Sequence, residues 1–122
     1  MSDYHNVTVT LKRATFNTDY DMSGTMDPYF IFKLGDQKKQ SSVKQEGGQS
    51  LSYDEKFAFK VNPGDILYVY AYDQDTVSDE YIGSAEVNIG DYISIKSGSV
   101  SETLKKEYFD EGKVYLHIQV HD

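Results

Sequence analysis

A chain of 122 residues, 39% of them hydrophobic, is the size of one compact unit with a single buried core, and one domain over residues 1–122 is the expectation. The absence of cysteine excludes a disulfide framework and a thiolate metal cage. A net charge of -8 argues against nucleic acid as a partner.

The opening MSDYHNVTVT has neither the basic region nor the apolar run of an export signal, and no stretch is apolar enough to span a bilayer, so a cytoplasmic location is expected. Ser2 stands where N-myristoylation needs glycine, and Asn6-Val7-Thr8, an N-glycosylation acceptor in an exported chain, reads here as the start of a strand. From that point alternation is the dominant signal. Val7, Val9 and Leu11 point one way and Thr8, Thr10 and Lys12 the other, as in a half-buried strand. Phe30, Phe32 and Leu34 repeat the pattern; a weaker segment follows over 37–44. Phe57, Phe59 and Val61 alternate next, then the aromatic and β-branched run ILYVYAYD over 66–73. Ala85, Val87 and Ile89, a weaker segment over 103–108, and Val114, Leu116, Ile118 and Val120 complete eight predicted strands. Turn formers separate them: Gly35-Asp36, Gly47-Gly48, Asn62-Pro63-Gly64-Asp65 and Asp110-Glu111-Gly112. No segment sustains a 3.6-residue period, so the expected fold is all-β, an eight-stranded antiparallel β-sandwich.

Asp19, Asp21, Asp27, Asp73, Asp75, Asp79 and Glu80 make up seven of the 20 acidic residues, and the other 13 nearly balance the 12 Lys and Arg. The excess acidity therefore sits in two short segments, 19–27 and 73–80. The first begins like an EF-hand loop, with Asp19, Asp21, Ser23 and Gly24 in suitable positions. Its twelfth position is Phe30, which has no oxygen to offer, and its neighbours read as strands rather than helices, so the EF-hand reading fails. In an antiparallel sandwich the first, third and fifth connections emerge at one end. Both acidic segments should then share a rim with QEGGQSLS over 45–52. Like charges so close oppose the compact state, and a cation would relieve them. Flexible loops of hard oxygen ligands suit calcium better than magnesium, which demands a stricter octahedron.

These segments resemble the C2 domain, the calcium-dependent phospholipid-binding β-sandwich module. Asp21-Met-Ser-Gly-Thr-Met-Asp27-Pro-Tyr resembles the family's first loop, Tyr53-Asp54-Glu55-Lys56-Phe57 its aromatic-Asn-Glu-x-Phe segment, and Ala71-Tyr72-Asp73-Gln74-Asp75 with Tyr81-Ile82-Gly83 its third loop. One strand before the first loop and a full strand at the close imply the circularly permuted variant called type II. The resemblance implies calcium ligands at Asp21, Asp27, Asp73 and Asp75, a last carboxylate from either Asp79 or Glu80, and main-chain oxygens including that of Met22. Asp79 has the shorter side chain and so the smaller ordering cost; Glu80 stays as its rival.

The resemblance further implies an electrostatic switch, in which an acidic rim repels an anionic phospholipid membrane until calcium reverses its field, giving peripheral, calcium-triggered attachment. Met22, Met26, Val77 and Tyr81 stand where loop tips could enter the interface. Lys38, Lys39 and Lys44 suggest a phosphoinositide-binding strand, but alternation over 37–44 puts Lys38 and Lys44 on one face and Lys39 on the other, and an ordinary solvated strand is the commoner reading of such lysines. A monomer in solution and a role in signalling are expected. The rival reading keeps the fold but makes the chain a calcium-independent protein-interaction module, since a sandwich specifies no activity by itself. An enzyme is not expected: His5, His117 and His121 are the only histidines, and no nucleophile or glycosidase arrangement is recognisable. A zinc site on His117 and His121 lacks further ligands. Core and sheet packing accounts for most of the eleven tyrosines.

Overall fold

The computed structural model describes residues 4–17, 26–45 and 49–121. Eight antiparallel strands carry the fold: β1 (His5–Phe16), β2 (Pro28–Leu34), β3 (Gln37–Gln40), β4 (Ser50–Val61), β5 (Leu67–Asp73), β6 (Glu80–Val87), β7 (Ser97–Lys106) and β8 (Phe109–Val120). Their order is β3-β2-β5-β6-β7-β8-β1-β4. The chain folds into two four-stranded layers, because β6 and β7 are joined by only one residue pair, Ser84 with Lys105.

Inward-facing rows of alternating residues fill the space between the layers, as the sequence pattern requires. Val7, Val9 and Leu11 of β1, Phe30, Phe32 and Leu34 of β2, Leu67, Val69 and Ala71 of β5, and Val114, Leu116, Ile118 and Val120 of β8 are all buried. Aromatic contacts tie the two layers together. Phe30 meets the Tyr53 ring edge-on at 5.7 Å, and Phe32 lies 5.0 Å from Phe57.

The second seam, between the edge strands β3 and β4, is closed by side chains instead of a ladder. The Gln37 amide donates to the Lys60 carbonyl and accepts from the Lys60 N–H, both at 2.8 Å, which reproduces a β-bridge with a side chain. Glu55 accepts from the Ser42 N–H at 2.9 Å and from its hydroxyl at 2.5 Å. Both edges are thereby masked from pairing with another chain.

Three expectations need correction. The third strand stops at Gln40, after which the chain leaves the strand and follows β2, with the Ser41 N–H donating to the Phe30 carbonyl and the Lys44 N–H to that of Pro28. The seventh strand starts at Ser97, not residue 103. Its serine-rich first half has little apolar alternation and is strand because β8 offers it a backbone partner from Ser97 to Lys106. Between β6 and β7 lie a 3-10 turn (Ile89–Asp91) and the single-turn α1 (Tyr92–Ile95), too short to leave a helical period in the sequence.

Candidate functional site

The strand directions bring the acidic connections to one end. Pro28 pairs with Asp73, and Asp73 pairs with Glu80, so the exit of the first connection and both ends of the fifth are adjacent strand termini. Two further bonds extend the β2–β5 ladder beyond the strands. The Asp27 N–H donates to Asp73 Oδ1 at 2.9 Å, and the Gln74 N–H donates to the Asp27 carbonyl at 2.9 Å.

Asp73 continues the inward row of Leu67, Val69 and Ala71, so its carboxylate sits where the core meets the rim and is only 7% exposed. Such burial of a charge is costly without partners, and the Asp27 amide supplies one. Asp75 and Asp79 lie exposed in the 74–79 connection and are organised by local bonds. Asp75 Oδ1 accepts from the Thr76 N–H at 2.6 Å and its hydroxyl at 3.3 Å, while Asp79 Oδ1 accepts from the Asp75 N–H at 3.2 Å.

Asp79 also receives a short hydrogen bond from the Tyr29 hydroxyl, which sequence reasoning missed. Burial, and then the bond to Asp79 and its charge, push the Tyr29 phenol well above its ordinary pKa. The ring is fixed by stacking on Tyr72 at 5.5 Å, and Tyr72 in turn packs at 5.7 Å from Tyr81. A bulge permits this aromatic row. The register shift between Ala71 and Tyr72 leaves Ile82 without a partner on β5, so Tyr81 faces Tyr72 on the outer surface while Ile82 is buried. Nothing in the sequence pattern around either residue points to the contact between Tyr29 and Asp79, which lie 50 residues apart.

Of the residues expected to reach lipid, Val77 stands 92% exposed in the 74–79 connection. Met26 does not reach out: it is 0% exposed and part of the core cluster, its flexible thioether filling the space beneath the rim. Tyr81 is likewise no loop tip, being a half-buried residue of β6 whose hydroxyl bonds Ser84 Oγ at 2.9 Å. Lys38 is exposed on β3, opposite Lys33, another residue the sequence reading passed over, whose ammonium lies 5.6 Å above the Tyr70 ring. Lys44 is half-buried, with its ammonium 5.0 Å above the Tyr53 ring, and since it lies outside β3 it does not share a strand face with Lys38. Asp21 and Met22, with Asp19, lie outside the described residues.

The described carboxylates, Asp27, Asp73, Asp75 and Asp79, are hard oxygen donors of the kind that suits a hard cation. Among the described residues, however, no three Asp, Glu or His side chains are grouped closely enough to hold a metal ion. Among those residues, too, no helix is long and apolar enough to cross a membrane.

A sandwich of two four-stranded layers that gathers acidic connections at one end defines a C2-like module. The family model for the C2 domain matches residues 5–106, and the chain belongs to that family. It is 32% identical over 93 residues to Elicitor-responsive protein 1 of Oryza sativa subsp. japonica, covering 71% of this chain and 58% of that protein, so it spans less than two thirds of that relative's length. The fold is similar to the C2 domain designated A of a plant Extended Synaptotagmin 1, with a TM-score of 0.82, 22% identity, and 95% of this chain and 93% of that one covered. A calcium-bound structure of the two C2 domains, A and B, of Extended-Synaptotagmin 2 superposes with a TM-score of 0.79 at 23% identity, over 95% of this chain and 45% of that one.

Proposed function

We propose that the chain is a binding module, not an enzyme, that attaches peripherally to anionic phospholipid membranes when calcium occupies the rim formed by its acidic connections. The observation that carries this reading is the junction of Asp27 and Asp73, which joins the first acidic connection to the fifth through the bond from the Asp27 amide to Asp73 Oδ1 at 2.9 Å. Asp21, Asp27, Asp73, Asp75 and Asp79 would hold the ion, with the Met22 carbonyl contributing. Asp79 is preferred to Glu80 because it turns back into the connection to bond Asp75, whereas Glu80 is an exposed residue at the start of β6. Calcium, when bound, supplies positive charge and coordination positions open to lipid phosphate oxygens.

The protein's own part is electrostatic. An unneutralised rim is repelled by a leaflet at roughly -30 mV, and calcium and lipid affinities must reinforce each other by the same factor. Val77 adds an apolar tip. Lys44, whose N–H donates to the Pro28 carbonyl at the rim, adds about 1 kcal/mol of attraction where it comes near the surface, whereas Lys33 and Lys38 face each other about 17 Å along β2 from Pro28, at the other end of the strand. The site of action would be the cytoplasmic face of a membrane.

A second reading has its own support. The described carboxylates already have protein donors: Asp73 has the Asp27 amide, Asp75 has Thr76, and Asp79 has Asp75 and Tyr29. A rim so satisfied could serve a calcium-independent protein contact. Co-sedimentation with vesicles of phosphatidylcholine, phosphatidylserine and phosphoinositide composition, in calcium and in chelator, separates the two. Calcium-dependent pelleting with the anionic vesicles is expected; pelleting that ignores calcium, or none at all, favours the protein contact.

A further inference from the structure

We propose that the tip of the β7–β8 hairpin, Tyr108 with Phe109, is an additional bilayer anchor that enters the headgroup boundary when the rim docks. The proposal rests on the membrane reading above and adds to it a contact outside the acidic connections.

Tyr108 is 96% exposed and its neighbour Phe109 66% exposed, the two most exposed aromatic side chains among the described residues. Aromatic side chains are where burial is worth most, so two in succession left in water at a turn do nothing for folding. The backbone makes the choice more pointed. Lys106 pairs with Phe109, leaving a two-residue turn of Glu107 and Tyr108 in which Glu107 adopts φ +57°. Two-residue hairpins form best with Asn-Gly or Gly at such positions, and Glu107 does not relieve the cost of its positive φ, while Tyr108 beside it has no such backbone demand and fills no core space. A residue that helps neither the turn nor the core is explained by something outside the chain.

Position identifies the partner. The base of the hairpin is tied to the exit of β1, where the first acidic connection starts. Gly112 pairs with Phe16, the Asn17 N–H donates to the Glu111 carbonyl at 2.9 Å, and Asn17 Nδ2 donates to the Asp110 carbonyl at 3.0 Å. The tip therefore projects from the same end as Val77 and the carboxylates. It is a convex two-residue point rather than a groove, so it suits insertion into a deformable interface better than docking onto a folded surface. Lys105 and Lys106 precede it, Lys105 lying 4.0 Å from Asp110 across the hairpin, and with Glu107, Asp110 and Glu111 also flanking the tip its local charge is slightly negative, so its entry depends on the same calcium that neutralises the rim. The stem is held firmly: Leu104 is fully buried, and at Gly112 a Cβ would stand 2.1 Å from the Thr15 carbonyl oxygen, so the two backbones are in close contact. An anchor on a rigid stem loses little conformational freedom on binding.

The chain has no tryptophan, so a Tyr108→Trp variant carries a single fluorophore at the tip. In calcium with phosphatidylserine-phosphatidylcholine vesicles its emission should shift to the blue and be quenched by brominated acyl chains, and chelator should reverse both. The double substitution Tyr108→Ser with Phe109→Ser, at exposed positions, should leave the melting temperature unchanged and weaken vesicle partition about tenfold, equivalent to about 1.4 kcal/mol. Wild-type binding with an unshifted, unquenched tryptophan and an unweakened double variant overturns the anchor and leaves the membrane reading standing; the tip would then face a protein or nothing. If the wild-type chain binds no vesicle in calcium, both fall together.

Discussion

Asp73→Asn separates the charge at the rim from the architecture that holds it. Asparagine keeps an oxygen where Asp73 Oδ1 now accepts the Asp27 amide at 2.9 Å, and it fits the same buried position. What it removes is one negative charge and one acceptor, since the second carboxylate oxygen becomes an amide donor. A hydrogen bond to an ion contributes about 1.5–3 kcal/mol and a neutral one about 1, so the swap forfeits about 1 kcal/mol at that bond. Against this, a charge that is 7% exposed no longer has to be desolvated, nor held beside Asp27 and Glu80 at the strand ends. The two effects oppose each other at similar size, so in chelator the variant should melt at or slightly above the wild-type temperature. In calcium at a hundred times the dissociation constant the wild-type fold gains about 2.7 kcal/mol. At about 4 °C per kcal/mol for a domain of this size, that is a rise of about 10 °C. If losing the Asp73 carboxylate weakens calcium about a hundredfold, the same concentration only half-fills the variant and stabilises it by about 0.4 kcal/mol, a rise of about 2 °C. Thermal melts of both proteins in calcium and in chelator measure all four values. A wild-type melt that ignores calcium, or a variant that keeps the full rise, refutes the reasoning. So does a variant that melts many degrees lower in chelator, since the carboxylate would then be a structural clamp.

Three other substitutions or conditions test the geometry. Tyr29→Phe keeps the ring on Tyr72 but removes the hydroxyl that donates to Asp79, and should lower stability by about 1 kcal/mol in chelator, read as a melting temperature about 4 °C lower; an unchanged melt would mean the bond is idle. Gly112→Ala would force a Cβ to within 2.1 Å of the Thr15 carbonyl oxygen, so β8 must move away from β1, at a cost of about 3 kcal/mol in urea unfolding, and an alanine variant of wild-type stability would rule out so close an approach. Tyr29, Tyr53 and Tyr92 are all raised in pKa mainly by burial, so each holds its proton more tightly folded than unfolded. The stability they contribute is complete below the unfolded tyrosine pKa of about 10 and declines as pH rises above it. The urea midpoint should thus fall between pH 9 and pH 11, and Tyr53→Phe, at the most buried of these hydroxyls, should flatten the decline.

Much of the sandwich was legible because its rows alternate cleanly. Val7-Val9-Leu11 and Phe30-Phe32-Leu34 could face the core in only one register, and the parity of successive strands then placed 19–27 and 73–80 at one end without knowledge of any contact. What could not be read depends on neighbours far along the chain. Ser97 to Glu102 carry almost no apolar pattern and are strand because β8 lies beside them. The bulge at Ile82 reverses the parity of β6, so that Tyr81, expected near a loop tip, instead extends the ring row from Tyr72. Met26 looked like a tip residue because it sits between acidic turn formers, yet the chain has already descended into the core one residue before Asp27. Lys44 was assigned to the face of Lys38 by extending an alternation past Gln40, where the strand has ended. The bond from Tyr29 to Asp79 joins residues 50 apart in sequence, and the alternation in either segment is the same with or without it.

The division of labour at the rim depends on where each carboxylate is carried. Asp27 and Asp73 are held by the β2–β5 ladder, one through its own amide and carbonyl, the other at the end of a buried row, so they cannot move without disturbing core packing. Asp75 and Asp79 belong to an exposed connection whose order comes from bonds among themselves, Thr76 and Tyr29. Such a connection can exchange a hydroxyl or amide donor for another electropositive partner at the cost of a few local hydrogen bonds, whereas the ladder pair gives that partner a fixed point to meet. Reorganisation should therefore concentrate in residues 74–79. The exposed bond from the Asp75 amide to Asp79 would be given up before the one from Tyr29, because solvent can replace the first directly whereas the second comes from a residue only 6% exposed.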